Sequence, residues 1–271
     1  MNHQKNDMVI GGAGGHSSAM NDTSADQSGA ATRGFFFAFS AYVFWGVQPI
    51  FMKLVAHMPA AEVVAHRVLW SLPIAGVVIW ALGRTADLKA ALRSPRTLAM
   101  AAVTATIISV NWGIYVWAIA VDRAIDTALG YYINPLVSVV MGAVLLGEKL
   151  AMPQMVAVGL ALVAVVVLTV DAGGLPWVSL ALALTFAAYG FLRKTLPIGP
   201  SQGFFLEVLI LGLPALGYVA WLEFHGDNHF VAASPNDMIL LLLCGPVTAT
   251  PLLLYAFGAK LLRYSTIGIM Q

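Results

Sequence analysis

From Gly34 onward the chain alternates long apolar runs with short polar breaks. The runs cover 34–53, 62–83, 97–120, 127–147, 151–170, 175–193, 203–222 and 238–259. Each is long enough, as a helix, to cross ~30 Å of hydrocarbon. The fourth, 127–147, shows none of the polar face that a soluble helix of this length would carry. The pattern predicts an all-α integral membrane protein. A ninth run begins at Ser265, two turns before the last residue, Gln271. The fourth run is the most informative, with 21 uncharged residues from Thr127 to Gly147. Within it Gly130, Asn134, Ser138 and Gly142 recur every four residues and so share a helix face. Small residues at that spacing let a second helix approach closely. The pair Asn134-Pro135 loosens the second turn, because proline removes a backbone donor. In lipid such a defect survives only under protein or beside a water-filled cavity. Residues 1–33 hold Gly, Ser, Asp and Asn without an apolar run, and predict a disordered tail.

Composition supports the membrane assignment. The 271 residues are 59% hydrophobic and 10% charged, with mean hydropathy +0.82, against about 25% charged in soluble domains. A net charge of +1 argues against a nucleic-acid partner. Cys244 is the single cysteine, so no disulfide framework exists. No nucleotide-binding loop, zincin helix or nucleophile elbow occurs, and neither a metal nor a cofactor is expected. Basic residues set the orientation. Arg84, Lys89, Arg93 and Arg96 fill one short connection, which is expected in the cytoplasm. Alternation then puts eleven of the fourteen basic residues inside, together with the N-terminus.

Self-similarity runs through the apolar segments. Lys53 and Lys194, Pro73 and Pro214, and Gly76 and Gly217 are each 141 apart. Tyr115 and Tyr255, and Arg123 and Arg263, are 140 apart, and Thr127–Gly130 matches Ser265–Gly268 at 138. Five spans make one repeat, 34–171, and the second, 175–271, repeats it in part. Because five is odd, the second copy crosses the membrane upside down, as in many secondary transporters. Residues 134–171 have no counterpart after Gln271. The expectation is a ten-span inverted repeat cut off early in span 9, unable to transport by itself.

The segments FWGVQPIFMKL (44–54), AEVVAHRVLWSLP (61–73), NWGIYVWAI (111–119), LGYYINPLVSVVMGAVLLGEKL (129–150), AAYGFLRK (187–194) and STIGIMQ (265–271) resemble one group of membrane proteins. That group is the RarD, or chloramphenicol-sensitivity, group of EamA-type permeases in the drug/metabolite transporter superfamily. The resemblance implies a bacterial inner-membrane permease with a central cavity lined by both repeats, exporting small solutes.

Several residues are candidates for that cavity. Arg67 lies inside span 2, where a charge costs several kcal/mol unless paired or wet. His66 adjoins it, and Glu62 shares the His66 face. Trp45 and Gln48 share a face of span 1 beside Gly46 and Pro49. Asn111 and Tyr115 share a face of span 3, flanked by Trp112 and Trp117. Tyr131, Tyr132 and Asn134 on span 4 complete a polar-aromatic set of the kind that binds organic solutes. Glu207, the acid near the middle of a second-half span, is the candidate for proton coupling. Gly46, Pro49, Pro135 and Pro251 are the expected bending points.

These residues point to a secondary transporter of small organic solutes or drugs working by alternating access. Its expected partners are the solute and the lipid bilayer, with a homodimer left open as an assembly. The competing classes are an intramembrane enzyme built on Glu62, His66 and Arg67, and a non-transporting assembly protein.

Overall fold

The computed structural model describes residues 14–171, 176–226, 228–230 and 234–270, with side chains from Gly29 onward except at 168. Ten helices make up the described chain. They are α1 (Gly14–Leu54), α2 (Ala60–Ala81), α3 (Thr85–Leu92), α4 (Pro95–Ala120), α5 (Ala124–Leu146), α6 (Met152–Asp171), α7 (Trp177–Thr195), α8 (Pro200–His225), α9 (Pro235–Leu261) and α10 (Tyr264–Met270). Seven of them are long and apolar enough to cross a membrane: α1, α2, α4, α5, α6, α8 and α9. The protein is an all-α, multi-pass membrane protein.

Three differences from the expected pattern have physical causes. Residues 14–33, expected as tail, continue α1 as helix. Once the apolar part of α1 exists, each further residue adds a hydrogen bond without a new nucleus, and Ala, Met and Gln favour the helix. Residues 1–13 lie outside the described residues. The basic connection after α2 contains the short helix α3. The expected sixth span forms α7, but α7 is not among the seven most apolar helices. It carries Ser179, Thr185, Tyr189, Arg193 and Lys194 and packs against α4, α5 and α9, so much of its surface meets protein rather than lipid.

The termini of the helices follow local chemistry. Both α4 and α9 open with Ser-Pro, and Ser94 and Ser234 each accept a hydrogen bond from the backbone N–H three residues on. Gly147 closes α5 at φ 65°, a conformation open to glycine at little cost.

Packing follows the small-residue faces. Gly130, Asn134, Ser138 and Gly142 are all buried on α5. A Cβ at Gly130 would sit 3.0 Å from the Ser179 carbonyl of α7, and one at Gly142 would meet Glu148 and the Ser265 amide of α10. The same stripe therefore seats two helices. Elsewhere α1 packs on α9, α2 on α8 and α9, and α4 on α7 and α8. The largest apolar cluster draws residues from α1, α2, α4, α7, α8, α9 and α10. Among the described residues α6 packs chiefly on α5 and presents apolar sides outward, as a helix facing lipid would.

One end of the bundle is tied by charged side chains to helix termini. Glu148 accepts hydrogen bonds from the amides of Tyr264 and Ser265, the open N-terminus of α10. Partial burial pushes its carboxyl up, but these bonds and the nearby Arg263 win, and it titrates below the usual carboxylate range. Lys194 donates to the carbonyls of Ala259 and Leu262 at the end of α9. Lys260 donates to those of Lys194 and Leu196 at the end of α7. Each lysine thus caps the other helix, where the helix dipole favours a cation.

Candidate functional site

Arg67 is the centre of the molecule's most unusual environment. It sits on the second turn of α2 and is 3% exposed. Its Nε donates to Thr248 Oγ1 on α9 at 3.0 Å. Its guanidinium lies over the Trp112 ring, 4.9 Å from the centroid. Its Nη1 has no hydrogen-bond partner in the structure. Among the described residues no carboxylate pairs with it. A hydrogen bond from a charged donor contributes about 1.5–3 kcal/mol, and stacking on an aromatic face about 0.5–2 kcal/mol. The ionisable groups that act on the guanidinium are Cys244, Tyr115 and Tyr131, and none of them is a carboxylate.

Arg67 faces a cavity of about 20 Å3, room for roughly one water molecule. Six helices line it. Trp45 and Gln48 come from α1, Arg67 from α2, and Asn111, Trp112 and Tyr115 from α4. Tyr131 comes from α5, Phe186 from α7 and Leu252 from α9. Asn111 is fixed from behind: its Nδ2 donates to the Leu182 carbonyl at 3.1 Å and to Thr185 Oγ1 at 2.8 Å, tying α4 to α7. The walls are mostly aromatic; Trp45 and Phe186 meet edge to face, and Tyr255 packs tilted against both from behind. Beside the cavity, between α1 and α5, lies a wider groove of about 380 Å3 that shares Trp45 and Tyr131 with it.

A second buried polar group lies on α7 and α8. Arg193 Nη1 is 3.5 Å from Glu207 Oε1, and the Tyr189 hydroxyl donates to Glu207 Oε2 at 3.1 Å. Arg193 Nη2 donates to the Pro200 carbonyl at 2.6 Å. At an effective dielectric of 20 the gross attraction in such a pair is on the order of 4 kcal/mol.

The comparisons with known proteins agree with this architecture. Residues 32–170 match the EamA-like transporter family. Protein RarD of Streptomyces exfoliatus is 43% identical over 238 residues, covering 88% of this chain and 76% of that protein. An uncharacterized transporter of Vibrio cholerae is 38% identical over 89% of this chain and 80% of its own. Protein RarD of Escherichia coli K12 is 35% identical over 88% of this chain and 81% of its own. The chain belongs to the RarD group of EamA-like transporters. No solved structure matches it.

In this RarD-group chain Trp45, Gln48, Arg67, Asn111 and Tyr115, all singled out by sequence, meet around one cavity. His66 does not join them. Its Nδ1 accepts from Trp70 Nε1 at 3.0 Å and its ring stacks on Phe230, because it is turned from Arg67 by one helix position. Glu62 is turned away as well: its oxygens accept from His229, at 2.8 Å from the backbone N–H and 2.7 Å at Nδ1. Glu62, His66 and Arg67 thus have three separate sets of partners. Tyr132 is 77% exposed and lines only the outer groove, whereas its neighbour Tyr131 reaches the cavity. Asn134 is buried on the face that receives α7 and α10 and does not line the cavity. Glu207 lies apart from Arg67, held by Arg193 and Tyr189.

Sequence alone did not single out Thr248, Thr185, Phe186 or Leu252. One of them was within reach: Phe186 stands 141 residues after Trp45, the same offset that relates Lys53 to Lys194.

Proposed function

We propose that this chain has the architecture of a secondary transporter of small organic solutes, one that works by alternating access around the Arg67 cavity. The observation that carries the reading is the convergence of six helices on one small, polar-aromatic cavity, four from 34–171 and two from 175–271. At about 20 Å3 the cavity is far smaller than the 300–1,000 Å3 that organic ligands occupy. A solute therefore enters only when the helices move apart, which is the expected behaviour of an occluding transporter.

The packing supports an inverted repeat of the two halves. Exchange of α1 with α7, α2 with α8, α4 with α9 and α5 with α10 turns the pair α1–α9 into α7–α4, and α2–α9 into α8–α4; both members of each pair are packed. The pairs α2–α8 and α5–α10 map onto themselves and are also packed. The Ser-Pro starts of α4 and α9 fall 140 residues apart, in step with the repeat. One half rocking against the other would open the cavity alternately to each end. We place the N-terminus and the 84–97 connection in the bacterial cytoplasm, on the excess of Lys and Arg there. Outward transport is the direction that the resemblance implies.

The test is a metabolite and drug flux screen in proteoliposomes, run on this chain and on a version extended by two further spans, which the expected ten-span repeat requires for flux. At least one organic solute should cross faster than in protein-free vesicles, and Trp45→Ala should lower that rate about tenfold or more, since a misplaced solute loses its reactive or translocating geometry. A screen in which no solute exceeds the protein-free rate with the extended version would overturn the reading.

A further inference from the structure

We propose that the Arg67 cavity takes a small organic monoanion, a carboxylate on a flat, apolar or aromatic body. This rests on the transporter reading of the same cavity and adds the charge class of the cargo.

The first support is a charge imbalance. The bundle buries two arginines, Arg67 and Arg193, each 3% exposed. Arg193 is answered by Glu207 at 3.5 Å. Arg67 has no such answer among the described residues, and the acid nearest to it along α2, Glu62, is engaged by His229. A cation in a low-dielectric interior attracts a counter-charge more strongly than one in water does.

The second support is the way Arg67 is held. Thr248 anchors Nε, while Nη1 is left without a partner. A guanidinium fixed at one corner and stacked on Trp112 keeps N–H groups directed for an incoming acceptor. One such cation balances one negative charge, which fits a carboxylate better than a doubly charged phosphate.

The third support is what the lining lacks. No acidic residue lines the cavity among the described residues. An ammonium group brought there would face Arg67 and find no carboxylate, so amines and zwitterionic amino acids are disfavoured. The aromatic rings of Trp45 and Phe186 in the lining suit a planar apolar body instead. Gln48 and Tyr115 add neutral hydrogen-bonding groups that fix orientation without changing the charge preference.

The experiment is equilibrium binding to the whole chain in nanodiscs, using benzoate, benzyl alcohol and benzylamine, which share a ring and differ in charge. Benzoate should bind about tenfold more tightly than benzyl alcohol and at least about a hundredfold more tightly than benzylamine. In Arg67→Gln that order should collapse, with benzoate losing about a hundredfold and benzyl alcohol changing little. Arg67→Lys should recover part of the anion preference but not the full affinity, because an ammonium cannot meet a carboxylate through two parallel N–H groups. The charge series on the unaltered chain decides the matter even if a variant fails to fold. Equal binding of the three probes, tighter binding of benzylamine, or no binding at millimolar concentration overturns the proposal. Flux confined to cationic or neutral solutes in the screen would uphold transport and overturn the anion. Selective benzoate binding with no solute flux would uphold the anion and break the transporter reading.

Discussion

Arg193 and Arg67 are equally buried arginines in one bundle, and each keeps one nitrogen without a hydrogen-bond partner, Nε of Arg193 and Nη1 of Arg67; what differs is the counter-charge. Arg193 has Glu207, Tyr189 close by on that same carboxylate, and the Pro200 carbonyl. Arg67 has a threonine hydroxyl and an indole face. The first arrangement is closed: its charge is matched by the protein itself. The second is open, and it lies at the wall of the cavity rather than between two helices. A buried charge that the fold completes holds helices together, whereas one that it leaves incomplete is available to something that arrives later.

The comparison breaks most visibly at Glu207. Glu207→Gln leaves the Arg193 guanidinium buried without its counter-charge, and should cost about 3–5 kcal/mol. Thermal unfolding in detergent checks this. The double replacement Arg193→Met with Glu207→Leu should lose far less than the two single losses added together, since it removes both charges. If Glu207→Gln melts with the unaltered chain, the pair is not structural.

Asn111 comes next. It gives both of its donors to α7, so Asn111→Leu should cost about 1–2 kcal/mol and loosen α4 against α7. The same melting measurement would show it. A variant as stable as the parent would mean that water replaces the amide.

The smallest effect on stability should come from Arg67→Met. The lost stacking and the lost bond to Thr248 are offset by removing an unmatched charge from the interior. The net change should stay within about 1 kcal/mol of zero, and a melt displaced by as much as that of Glu207→Gln would place Arg67 with Arg193 as a structural residue.

How much of this was legible depends on what each residue needs from far away. Arg67 stands out because a charge inside an apolar run needs no partner to be noticed. Trp45 with Gln48, and Asn111 with Tyr115, follow from helix phase, which sequence supplies directly. Tyr131 and Tyr132 cannot be separated that way. They differ by one helix step, and only the positions of α1 and α4 decide which of them faces inward. Glu62 misleads because its true partner, His229, is 167 residues away in a connection between helices. Thr248 and Thr185 gave no signal, since a threonine in a span usually satisfies itself on its own helix. Thr185 does so, donating to the Ala181 carbonyl, while also accepting from Asn111. The run of apolar segments predicted the helices well because length and hydropathy are local. It could not foresee the less apolar α7, whose tolerance for polar residues comes from the helices that surround it.

The crossed lysines at the bundle's end have a consequence for how the molecule comes apart. Lys194 belongs to α7 but closes α9, and Lys260 belongs to α9 but closes α7. If the last turn of α7 unwinds, Lys194 is carried away, and the carbonyls of Ala259 and Leu262 lose their donor. If α9 frays first, α7 is uncapped in return. Neither end can open without weakening the other, so two termini far apart in sequence behave as a single cooperative unit, with a shared opening free energy where two independent ends would each have fluctuated alone.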